Sequence, residues 1–278
     1  MSDSVSRLGQ DDKPPRDLVL PQGALGAVPS IRLRITMLGR LDVRSFMGDP
    51  LLPRSRKTRG VLAVLAIESP EPVSRQRLAD LLWSRRGEEQ ARGSLRQALH
   101  ELQDSLGDWG KGLIVATRET VALNTTGVWI DARELPRMAR DRPEALNLLQ
   151  AELLSDLDSL DAAFDAWLTD QRRRLRDSAL DAATARLAAA AGPEARAQEA
   201  RRVLAIDAAQ EPVWRTLIRA EAERGDRGAA FAAWEECRRV FADRFRGAPS
   251  PETAALAESL RGEVATPPPR PVRRSAAR

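Results

Sequence analysis

The chain has 278 residues, 42% of them hydrophobic and 30% charged, with a formal net charge of +4. One cysteine, Cys237, excludes an intramolecular disulfide and suits a reducing compartment, and with one histidine, His100, it cannot supply the usual zinc ligands. The longest clear apolar run, Val61–Ile67, is far short of a membrane span, and the N-terminus lacks a secretory layout, so a cytoplasmic protein is expected, with no membrane, metal or cofactor. Charge is unevenly spread: residues 31–128 carry about 16 Lys and Arg against about 11 Asp and Glu, and residues 129–262 about 21 against about 24. Only the first half is therefore expected to meet a polyanion.

Residues 1–30 are polar and punctuated by Pro and Gly, as in a disordered arm. Ile31, Leu33 and Ile35 then alternate with Arg32, Arg34 and Thr36; Leu41, Val43 and Leu51-Leu52 follow, which predicts a small antiparallel sheet. A helix with a basic first turn runs from Arg56 and is ended by Ser69-Pro70. Ser74 is placed to cap a short helix, Arg75 to Leu82. A loop, Ser84 to Glu88, leads into Ala91–Leu106, where Ala91, Leu95, Ala98, Leu99, Leu102 and Leu106 make one apolar stripe.

The opposite face of that helix carries Arg92, Arg96, Gln97, His100 and Gln103, residue types that contact phosphates and base edges. Gly93 lies on the same face and costs the helix roughly 1 kcal/mol against Ala, but lets a partner approach the axis closely. Two helices joined in this way, the second basic on its outer face, make a helix-turn-helix candidate. Leu113–Thr117, Arg118-Glu119 and Thr120–Leu123 then predict a hairpin with the position and size of a wing. From Trp129 the pattern is helical almost throughout, broken at Arg142-Pro143, Gly192-Pro193, Glu211-Pro212, Gly225 and Pro249-Ser250-Pro251. Trp214, Leu217, Ile218, Ala230, Trp234 and Cys237 fit the packing positions of a tetratricopeptide unit, and Ala197, Ala200, Val203 and Leu204 fit the preceding helix more loosely. Residues 263–278 form a Pro/Arg tail expected to be disordered.

The strings Leu38–Val43, Lys57–Ala66, Ser74–Trp83 and Ala91–Leu99, followed by Phe164–Leu168, Arg202–Asp207, Glu211–Arg215 and Pro251–Leu256, carry a family likeness. Across about 31–262 the chain resembles the Streptomyces antibiotic regulatory proteins: an OmpR-like winged helix followed by a bacterial transcriptional activation domain. The fold implied is mainly α, with an α+β winged helix-turn-helix at 31–128 and an all-α tetratricopeptide-like repeat domain at 129–262. The function implied is sequence-specific DNA binding at promoters by a transcriptional activator that contacts RNA polymerase. By position, Arg92, Ser94, Arg96, Gln97, His100 and Gln103 are the DNA-contact candidates, with Arg118 where a wing reaches the minor groove. The turn Ser84, Arg85, Arg86, Gly87 and Glu88 corresponds to the polymerase-facing loop.

The chain departs from its relatives at the end of the recognition helix. Many have Leu-Arg-Arg where this one has Leu102-Gln103-Asp104, and Glu101 stands where OmpR-like proteins often keep Arg. The resemblance implies double-stranded DNA and RNA polymerase as partners; each lost phosphate contact weakens binding by one copy, so a second copy of the chain, as a homodimer or on tandem sites, is expected as well. The alternatives are a protein–protein adaptor with vestigial DNA binding, favoured by Gln103-Asp104, and a repressor. No nucleophile or carboxylate constellation surrounds His100, so an enzyme is not expected.

Overall fold

Alternating burial at the start of the chain produces β1 (Leu33–Thr36) and β2 (Asp42–Ser45), which pair antiparallel with Leu33 opposite Ser45 and Ile35 opposite Val43. This computed structural model describes residues 31–262. The arm expected at 1–30 and the tail expected at 263–278 lie outside the described residues. Leu51-Leu52 forms no strand: Leu51 N–H donates to Val43 O, and Pro50 bridges Arg44, so the segment only flanks β2.

Helix α1 (Arg56–Glu68) starts on the Ser55 hydroxyl, which accepts from Thr58 N–H, and buries Gly60 through Ala66. Gly60 is a close-approach position. A Cβ there would stand 2.6 Å from Leu160 Cδ2 and 2.7 Å from Leu82 Cδ2, so only the absence of a side chain lets both leucines pack on the helix. The two-residue strand β3 (Val73–Ser74) runs straight into α2 (Arg75–Leu82), capped by Ser74 as the sequence predicts. Helix α3 (Glu88–Leu106) begins three residues earlier than expected, so Glu88 is its first residue rather than part of a loop. Two acids in its first turn, Glu88 and Glu89, suit the positive end of the helix and stand in for a side-chain cap, which is missing. Its six-residue apolar stripe is buried in full.

A 3₁₀ turn, Gly107–Gly110, leads to the hairpin β4 (Ile114–Ala116) and β5 (Thr120–Leu123), and β3 adds to the free edge of β5. The wing is therefore a three-stranded sheet in the order β3-β5-β4. The next strand, β6 (Val128–Ile130), pairs parallel with β1, so the first sheet is mixed, in the order β2-β1-β6, and not simply antiparallel. This corrects the helical reading from Trp129 onward. Trp129 lies under the Arg34 guanidinium, 5.2 Å from the ring centroid.

Helix α4 (Asp131–Asp141) follows at once, then a 3₁₀ run over Pro143–Gln150 and an irregular stretch before α5 (Ala162–Ala189). The irregular stretch is held by distant backbone: Leu154 N–H donates to Met37 O, Ser155 N–H to Gly39 O, and Leu41 N–H to the Asp156 carboxylate. The remaining helices are α6 (Gly192–Ile206), α7 (Glu211–Glu223), α8 (Arg227–Phe245) and α9 (Pro251–Gly262), each bounded by one of the expected Pro or Gly breaks. The fold class is thus mainly α, a winged helix-turn-helix followed by a helical repeat. Trp214, Leu217, Ile218, Ala230, Trp234 and Cys237 share the core of α6 to α9. The first core runs from Leu33 to Leu168, so Leu153, Leu154, Leu157, Phe164, Trp167 and Leu168 pack with the winged helix. A smaller cluster joins α4, α5 and α6 through Ala139, Ala179, Ala183 and Val203. Helix α5, with 28 residues, is about 42 Å long and takes part in both packing regions.

Candidate nucleic-acid interface

Ser74 belongs to two elements, pairing with Thr120 as part of β3 and capping α2. The next residue, Arg75, donates its backbone N–H to Glu119 O at 2.8 Å and its Nε–H to Thr117 O at 2.9 Å. Thr117 in turn accepts the Glu119 and Thr120 N–H groups on its hydroxyl. The wing tip is thereby fixed against the start of α2, with Arg118 exposed at its end. Between α2, the first two turns of α3 and the tip lies an open groove of about 590 Å³. Arg75, Arg92, Arg96 and Arg118 line it, with Glu89 and Glu119 the acids among them.

The structure brings some of the predicted contact residues together and separates others. Arg92, Arg96 and Arg118 meet at the groove. Arg92 is held by an exposed ion pair with Glu88 at 2.5 Å, whereas Arg96 makes no ion pair among the described residues. Gln97 and His100 are exposed on the outer ridge of α3, His100 with Nε2 3.5 Å from Asp104, and Gln103 is exposed two turns beyond Arg96. Ser94 stands apart. Its hydroxyl accepts from the Arg86 guanidinium at 2.6 Å and donates to Gln90 O, which turns it toward the α2–α3 turn. A Cβ at Gly93 would meet nothing nearer than the Arg96 guanidinium at 3.9 Å, so packing does not demand glycine there.

The Ser84–Glu88 segment is tied at both ends. Ser84 donates to the Asp161 carboxylate at 2.5 Å, and Asp161 also caps α5 and receives Lys57 Nζ at 3.2 Å. Burial acts to raise the Asp161 pKa, but the Ser84, Ala163 and Lys57 hydrogen bonds together outweigh it and lower the value. Arg86 and Glu88 hold the other end through Ser94 and Arg92, which leaves Arg85 and Gly87 as its outward residues.

Two features escape the sequence reading. Arg75 looks like an ordinary residue after a cap; only the wing's return past α2 makes it a groove residue. Glu101, noted as an acid in place of Arg, does not face the groove. Its carboxylate accepts from Ser55 N–H at 2.8 Å and from the Thr58 hydroxyl at 2.6 Å, anchoring α3 to the positive N-terminal end of α1.

The family described as bacterial transcriptional activator domain matches residues 121–261, just over half of the chain. The chain belongs to this family. The match begins in β5 and takes in β6 and helices α4 to α9, and it agrees with the resemblance to the Streptomyces antibiotic regulatory proteins. The family is one of transcriptional regulators. The chain is similar to regulatory protein AfsR of Streptomyces griseus, at 28% identity over 262 residues, which cover 90% of this chain and 27% of that protein. It thus spans about a quarter of the length of that relative. Its fold is similar to that of Mycobacterium tuberculosis EmbR, solved in complex with a low-affinity phosphopeptide, with a TM-score of 0.55 at 23% identity over 84% of this chain and 65% of that one. Among the described residues no helix is long and apolar enough to cross a membrane.

Proposed function

We propose that the regulator is a sequence-specific DNA-binding transcriptional activator whose α3 lies in the major groove. The observation that carries this is the groove at which Arg75, Arg92, Arg96 and Arg118 converge from three elements. Arg75 and Arg118 meet phosphates and the minor groove, while Arg92, Arg96, Gln97, His100 and Gln103 face the major groove. The Arg92–Glu88 pair is no obstacle, since an exposed pair at this spacing is worth about 0.3–0.5 kcal/mol and a phosphate outcompetes it. Ser94 serves the site through Arg86, holding the turn rather than touching DNA.

The contact residues all lie within 31–128, the DNA-binding part, and 129–262 is the activator part. Because Leu153 to Leu168 complete the first core, the activator part is oriented by the same packing that holds α3. The Ser84–Glu88 turn, braced by Asp161, is the surface offered to RNA polymerase, and two copies on adjacent half-sites supply the affinity that Gln103 and Asp104 forgo. Four arginines brought against the duplex, in its grooves or on its phosphates, each displace about one counterion and predict that the logarithm of affinity falls with the logarithm of salt with a slope of about −3 to −4 per copy. The test measures binding of the full chain to DNA from its own upstream region and to scrambled DNA of equal length across a salt series. Tighter binding to the native fragment with that slope supports the proposal. No binding to either at low salt removes it and favours the adaptor.

A further inference from the structure

We propose that Glu89 sets base preference, accepting from the amino group of a cytosine; this rests on the DNA-binding function proposed above. Glu89 is the second residue of α3, and recognition helices present their N-terminal residues to base edges. It shares one side of the helix with Arg92 and Arg96, three and seven residues on, and lines the groove with them. Its neighbour Glu88 is occupied by Arg92, but Glu89 is exposed and makes no ion pair or hydrogen bond among the described residues.

A free carboxylate among arginines that gather phosphates is repelled wherever it faces the backbone. It is accommodated where the duplex offers a donor without an acceptor beside it. In the major groove cytosine alone does so: its N4 amino group stands next to a C–H, whereas adenine sets N7 beside its amino group, and guanine and thymine present acceptors. The guanine paired with that cytosine offers O6 and N7 within the same groove, the pattern an arginine fork grips. Glu89 and one of its two neighbouring arginines therefore read a single C·G pair from both strands. Glutamine in place of Glu89 carries a donor as well as an acceptor and matches adenine N6 and N7.

The experiment is selection from a randomised duplex library with the full chain as wild type, Glu89→Ala and Glu89→Gln, with thermal midpoints measured on all three. The expected result is one position where the wild type selects cytosine. Glu89→Ala should lose that preference alone, by about 5- to 150-fold in relative affinity, and Glu89→Gln should change it to adenine. Midpoints that stay together show that each variant is folded as the wild type is. Unchanged preference at every position in folded variants overturns the role of Glu89 while leaving the DNA-binding function standing. A wild type that enriches no sequence overturns both.

Discussion

Asp131→Ala is expected to lower the stability of the protein by about 2–5 kcal/mol, a fall of roughly 5–20 °C in thermal midpoint. Asp131 follows β6, and its carboxylate accepts Met37 N–H on both oxygens at 2.8 and 2.9 Å and Leu38 N–H at 3.0 Å. It also accepts Ala132 N–H at 2.6 Å at the start of α4. One buried side chain thus closes the end of β1, the end of β6 and the first turn of α4. Alanine strands two donors on the first sheet that have no other partner in view, each at about 1–3 kcal/mol.

Burial lifts the Asp131 pKa from 3.8 to about 6, against the backbone hydrogen bonds, which act to lower it. Between those values the unfolded chain has released the proton while the folded chain keeps it. The contribution is therefore complete below about pH 4, is lost as pH rises through about 6, and amounts to about 3 kcal/mol over the window. Asp161 and Glu211 have lowered values, so their contributions are lost only at more acid pH and leave this window clear. Urea unfolding of wild type and Asp131→Ala at pH 5 and pH 7.5 should show the larger difference at pH 5. Equal differences at the two values would remove the titration, and no difference at either would remove the structural role.

The second large effect belongs to DNA. Arg96→Ala should weaken binding to the native fragment by about 5- to 150-fold, the value of one good arginine contact. Arg96 needs no partner broken to reach DNA, and it is an exposed helix position, so stability should change by no more than about 0.5 kcal/mol. Arg96→Lys separates the two ways it can act. A phosphate contact tolerates lysine, which keeps the charge, whereas a forked contact to guanine is lost with the guanidinium. Titrations at one salt concentration measure both, and an Arg96→Ala chain that binds like the wild type would take Arg96 out of the interface.

Much of this architecture is legible in the sequence because its signals are local. The stripe of α3 repeats over about four turns, Ser74 caps at its own position, and each helix of the repeat is bounded by a visible Pro or Gly. The features that escape are those made by distant partners. Strand β6 is three residues long, too short for alternation to show, and its partner β1 lies more than ninety residues away. Residues 151–161 have no periodicity of their own; their order comes from Met37, Gly39 and Leu41. The same holds for the candidate interface. Arg92, Arg96 and Arg118 announce themselves by residue type on an outer face, but Arg75 becomes a groove residue only through Thr117 and Glu119. Ser94, expected to contact DNA, also holds the Arg86 guanidinium on its hydroxyl, which no local pattern shows. Glu101, read in the sequence only as an acid in place of Arg, also ties α3 to the start of α1 through Ser55 and Thr58.

The most direct test of the central claim, that α3 enters the major groove, is cleavage from a reagent tethered to it. Cys237 is buried, and burial, reinforced by Glu211, pushes its thiol up to about 12, so an introduced surface cysteine is labelled in its presence. Asp104→Cys places an iron chelate on the outer face of α3 beside the proposed contacts, and Arg173→Cys places one on an exposed face of α5. The account predicts cuts confined to a few base pairs, with the offset of major-groove cleavage, from the α3 conjugate and none from the α5 conjugate. Cuts from α5 alone, with both proteins bound to the fragment, would contradict it.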